Sequence, residues 1–158
     1  MDTSGSLLQL SAGIGAITGF RSMAAVATLS RSLHRRQLDA GGILSQAFPA
    51  GALTLAQAGE VVGDKLPFVP ARTHLAPLLG RAAIAGFACA VLANDRRAAP
   101  LAPALVGAAA ALASTVAITN LRRFATTRLH VPDMIFALAE DTVVLRACAE
   151  LAASLDQD

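Results

Sequence analysis

The chain has 158 residues, 54% of them hydrophobic and only 15% charged, with a formal net charge of +2. Soluble domains carry about 25% charged residues, so this composition excludes disorder and argues against an ordinary cytosolic enzyme. The two cysteines, Cys89 and Cys148, sit in apolar runs and exclude a disulfide scaffold, and so small a net charge excludes a nucleic-acid binder. What remains is an all-α, polytopic helical membrane protein, one domain over residues 1–158, with about four to five transmembrane helices.

Crossing the hydrocarbon core takes roughly 20 mostly apolar residues as helix. The first candidate span, 7–29, is uncharged until Arg21 and rich in small residues. Its Gly15-xxx-Gly19 spacing is a face that lets another helix approach closely. A signal peptide would carry Lys or Arg near its start, whereas this stretch carries Asp2, so a retained span is expected. Arg31 to Arg36 reads as the following loop, placed in the cytoplasm because it is the densest basic cluster.

The second span, 48–66, is uncharged until Glu60, then meets Asp64 and Lys65 and stops at Pro67. The third, 78–92, is short and carries Arg81 near one end, where it can snorkel to the interface. Residues 101–121 hold no charge at all, and Pro100 and Pro103 sit where a missing N–H does least harm. Arg122 and Arg123 follow at once as anchors for lipid phosphates. The last segment, 132–155, is interrupted by Glu140, Asp141, Arg146 and Glu150. It reads either as a bundle-buried span or as a re-entrant or interfacial helix. Lys and Arg divide evenly between the two sides, so charge bias sets no orientation. Gly15–Phe20 resembles Ala82–Phe87, a hint of an internal repeat.

The residues that could carry chemistry are the ionisable ones inside these spans, where charge is costly. Gln57, Glu60 and Asp64 share one helical face, with Gly59 and Gly63 beside the acids allowing close backbone approach. Two carboxylates a turn apart repel, so a cation should sit nearby, and Arg21 is the expected counter-ion. Glu140 and Asp141 point about 100° apart on a helix, so only one can face a given site, and Glu140 is expected against Arg21, Arg81 or Glu60. Asp133 reads as a first-turn acid meeting the helix dipole. A structural charge lock and an ion, proton or solute path are both open readings of this set. His34, His74 and His130 lie apart, so no metal site is expected, and no cofactor or catalytic motif is present.

Gly19-Phe20-Arg21-Ser22, Gly59-Glu60 through Asp64-Lys65-Leu66-Pro67, Pro70-Ala71-Arg72-Thr73, Gly80-Arg81 and Ala139-Glu140-Asp141 together resemble a family of small bacterial membrane proteins. It is the domain-of-unknown-function family 4126. The likeness runs along nearly the whole chain except the loop from Arg31 to Gln46. It implies a multi-span bacterial membrane protein, points to Arg21, Glu60, Asp64, Lys65, Arg72 and Glu140, and supplies no mechanism.

The sequence therefore leads to a non-enzymatic, multi-pass protein of the cell inner membrane with an intramembrane Arg–carboxylate site. The first expectation is an ion- or proton-coupled small-solute transporter or channel. The alternative is an accessory or assembly subunit of a larger membrane complex. Its expected partners are the lipid bilayer and either further copies of the chain, through the Gly15–Gly19 or Gly59–Gly63 faces, or a membrane-complex partner.

Overall fold

The computed structural model describes residues 3–36 and 75–157, and each regular element among them is an α-helix. In chain order these are α1 (Thr3–Phe20), α2 (Ser22–Arg36), α3 (Leu75–Asp95), α4 (Leu101–Arg128) and α5 (Asp133–Gln157). The 48–66 span lies outside the described residues, as do Gly59, Glu60, Gly63, Asp64, Lys65 and Arg72.

The stretch expected as one span, 7–29, is two helices interrupted at Arg21, and this corrects the sequence reading. No proline lies between Thr3 and Arg36, so pattern alone gives no reason for the break. At the interruption, side chains from two other helices bond the Gly19 carbonyl. Arg31 to Arg36, expected as loop, continues α2. α4 runs seven residues beyond the expected end at Leu121, carrying Arg122 and Arg123 within the helix. α3 ends with Arg97 in the left-handed region at φ 54, while the Ala98 N–H reaches back to Ala93 O at 2.8 Å. That wrap satisfies a carbonyl the last turn would leave open.

α4 packs against both α1 and α3, and α5 lies mainly on α2 and α1, touching α4 little. The buried face of α4 is a narrow stripe of mostly small residues: Pro103, Gly107, Ala111, Thr115, Ile118 and Ala125. Small side chains bring the backbones close. A Cβ on Gly15 would meet Ala110 Cβ at 2.8 Å, and one on Gly19 would meet Ala111 O at 2.6 Å. The Gly15-xxx-Gly19 face is thus occupied by α4 of the same chain. Gly86, the repeat partner of Gly19, also faces α4, where a Cβ would meet Ala104 O at 3.2 Å.

Large apolar side chains point the other way. Leu101, Leu105, Val116, Leu121 and Phe124 of α4 are all exposed, as are Leu79 and Phe87 of α3 and Ile135 and Leu138 of α5. Among the described residues, two helices are long and apolar enough to cross a membrane, Pro77–Asp95 and Leu101–Arg128, with mean hydropathies of 1.4 and 2.0.

A candidate buried Arg–carboxylate site

The break at Arg21 is the centre of the polar interior. Arg21 N–H still donates to Ile17 O at 2.9 Å, closing α1, and Ala24 N–H donates to Arg21 O at 3.3 Å, opening α2. The Gly19 carbonyl accepts from Arg81 Nη1 at 2.7 Å and Thr115 Oγ1 at 3.2 Å. Three helices beside the break thus supply its parts: α1 the carbonyl, α3 the arginine and α4 the hydroxyl.

Arg21 itself is 5% exposed and donates through Nη2 to Asp141 Oδ1 on α5. Its described partner is therefore the second of the two adjacent acids. Glu140, 3% exposed, takes a different cation, with Oε2 lying 3.9 Å from Arg122 Nη1. The divergence of neighbouring helical residues sends each acid to its own arginine. Along α5, Glu140 belongs to the buried row that continues through Val144, Cys148, Leu151 and Leu155, a spacing of three and four residues. Asp141 sits on the flank of that row with its side chain 28% exposed.

Two expected roles change. Arg81 does not snorkel to an interface; it is 6% exposed and bonds backbone at the break, because its position one turn before Ala85 puts it on the buried face of α3. Arg122 does not extend toward lipid phosphate, because Nε and Nη2 grip Asp133 at 2.7 and 2.6 Å. Asp133 does stand in the first turn of α5. Thr115 was not singled out from the sequence, and Arg122 was read there as a lipid anchor and not as a partner of the acids. Thr115 could have been found as one of very few hydroxyls in an Ala-rich helix. Arg122 could have been found as a cation one short connection away from Asp133.

Arg21, Arg81, Thr115 and Asp141 come together around one helix break, and Glu140, next to Asp141, stands with Arg122 and Asp133 toward the α4–α5 connection. The remaining hydroxyls of these helices mostly bond the carbonyl four residues back: Ser11 to Leu7 O, Thr18 to Ile14 O and Thr119 to Thr115 O. They are satisfied within their own helices. Comparison of the chain with protein-family models, curated proteins and solved structures finds no match.

Proposed function

We propose that this chain is a multi-pass protein of the bacterial inner membrane that moves an ion or proton, coupled to a small solute, past its buried Arg–carboxylate site. One observation carries the reading: an apolar helix is broken at Arg21, with its carbonyl held by side chains and its arginine turned onto a carboxylate. Irregular backbone at membrane depth is tolerated where it is buried in protein or lines a water-filled cavity. Interrupted helices supply the ion and substrate sites of many transporters.

The placement of side chains by size supports a bilayer around the bundle. Interfaces between helices in lipid favour small residues, since lipid tails are as apolar as leucine. α4 has that arrangement, glycine and alanine inward and leucine and phenylalanine outward, and only 28% of its apolar window is buried. A soluble core helix would be mostly buried. The resemblance to the small bacterial membrane family agrees with this placement. In this reading Glu140 and Asp141 line the path, Arg21 is the fixed counter-ion, and several copies assemble to enclose it.

The test is reconstitution of Glu140→Gln and Asp141→Asn into liposomes, with folded yield and proton- or ion-driven flux measured together. Parent-like yield with flux lost by at least tenfold is the expected result. A parent protein that shows no flux with any ion sinks the transport reading.

The second reading, an accessory subunit whose charges lock helix register, is favoured by charge balance. Arg21, Arg81 and Arg122 stand with Asp133, Glu140 and Asp141, so the described cluster carries no net charge for a cargo to answer. Under it, Glu140→Gln and Asp141→Asn lower yield and touch no flux.

A further inference from the structure

We infer that the outer face of α5 from Thr142 to Ala153 docks a second copy of this chain, held in register by Arg146 and Glu150. Given the bilayer placement proposed above, on which this rests, that face stands at a depth where lipid would otherwise touch charge. The depth follows from how the helices run. Gly15 and Gly19 of α1 lie on Gly107 and Ala111 of α4, so these two run parallel. α5 runs the opposite way, because Asp141 stands at Arg21 while Ala147 and Ser154 share a groove with Ile17 and Ser6. With about 1.5 Å of rise per residue in each helix, Arg146 and Glu150 come level with Gly15. They are therefore level with Gly107, inside the uncharged run of α4.

Neighbours at that level turn apolar side chains outward. Leu105 of α4 is exposed, and so is Phe87 of α3, which lies between the Arg81 contact to Gly19 and the Cys89 contact to Ser11. α5 differs. Its exposed large apolar side chains end at Leu145, and the later ones, Leu151 and Leu155, are buried. Arg146 and Glu150 are 84% and 72% exposed, and their mutual 3.5 Å contact covers neither. Charged side chains within a bilayer turn to the bundle interior or to a water-filled cavity. These two stand on the side of α5 opposite the buried row of Val144, Cys148, Leu151 and Leu155. Further protein therefore covers them.

A second copy fits this face by charge and by shape. Opposite charges one turn apart are self-complementary, so a two-fold axis brings Arg146 of each copy to Glu150 of the other. Thr142, Arg146, Ala149 and Ala153 recur at spacings of four and three residues, the seam of two helices that wind around each other. Ala149 and Ala153 are exposed, and their small side chains admit a close backbone. The small-residue face of α1 is already taken by α4.

The experiment places single cysteines in purified full-length protein carrying Cys148→Ala, reconstituted at low density in phosphatidylcholine vesicles, and measures disulfide-linked dimer after oxidation. Ala153→Cys gives dimer, and Leu105→Cys, at the same depth on α4, gives at least tenfold less. Added to Ala153→Cys, Arg146→Glu and Glu150→Arg each lower the dimer at least tenfold. A mixture of those two charge variants restores it, because unlike faces then meet, and the recovery shows that both variants fold. Equal dimer at Leu105→Cys and Ala153→Cys overturns the inference, as do charge variants that link like the parent or a mixture that restores nothing. Protein that inserts in vesicles yet gives no dimer at Ala149→Cys or Ala153→Cys overturns it as well and leaves the membrane placement standing. Protein that stays monodisperse in buffer without any amphiphile overturns both.

Discussion

α4 meets α1 and α5 by two different kinds of chemistry. Against α1 it offers glycine and alanine, so that the backbone around Gly107 and Ala111 lies directly on Gly15 and Gly19. Against α5 it offers almost no packed surface and one arginine, Arg122, which grips Asp133 and stands beside Glu140. The first seam gains from dispersion between close backbones, which needs small residues over several turns. The second gains from charge at one point, which needs only a long side chain with its partners at the right place. One helix can therefore be fixed rigidly on one side and pinned at one end on the other.

The largest effect should come from disturbing the glycine seam. Gly19→Ala places a methyl 2.6 Å from Ala111 O and 2.9 Å from Thr115 N, both backbone atoms that cannot swing aside. The expected cost is about 2–3 kcal/mol, read as a lower unfolding temperature in detergent and less monodisperse protein. Parent-like thermal stability would show that the two helices are not held this close.

The ionic seam should matter less. Asp133→Asn weakens a two-pronged bond to Arg122 while leaving Arg122 beside Glu140, and Asp133 is 62% exposed with the arginine side chain 30% exposed. Solvent screening reduces such a pair to about 1 kcal/mol or below. The difference between Asp133→Asn and parent should shrink further in 1 M salt, where the screening length falls to about 3 Å. An equal salt response of Gly19→Ala would remove the distinction between the two seams.

The smallest effect should have the opposite sign. Gly13 lies on α1 like Gly15 and Gly19 but lines an open groove of about 520 Å³ toward α5, with nothing within 4 Å of where a Cβ would stand. Gly13→Ala should stabilise by about 0.5–1 kcal/mol, the usual gain from replacing glycine inside a helix. Three glycines on one helix then give opposite responses according to which neighbour each faces. A destabilised Gly13→Ala protein would mean that the groove is filled.

Much of the helix content is visible in residue order. The uncharged run from Leu101 to Leu121 marks α4, and the apolar run from Leu78 to Leu92 marks α3, because length and hydropathy are properties of a segment by itself. The cost of burying charge selected Arg21, Glu140 and Asp141 before any fold was known. Their pairing was not visible. Arg21 and Asp141 are 120 residues apart, and nothing local distinguishes Asp141 from Glu140 as its partner. The end of α4 was misplaced for a related reason: two arginines looked like a boundary, whereas Arg122 is kept inside the helix by acids on α5.

By itself the sequence determined that this is a helical protein with apolar segments long enough to cross a bilayer and a few ionisable residues within them. Hydrophobicity and backbone propensity act residue by residue and survive without a fold. Only the tertiary structure decided that the first of those segments is interrupted at Arg21, that Arg81 and Thr115 meet the Gly19 carbonyl there, and that Arg21 pairs with Asp141, because these partners lie on helices far along the chain and come together only when the helices pack.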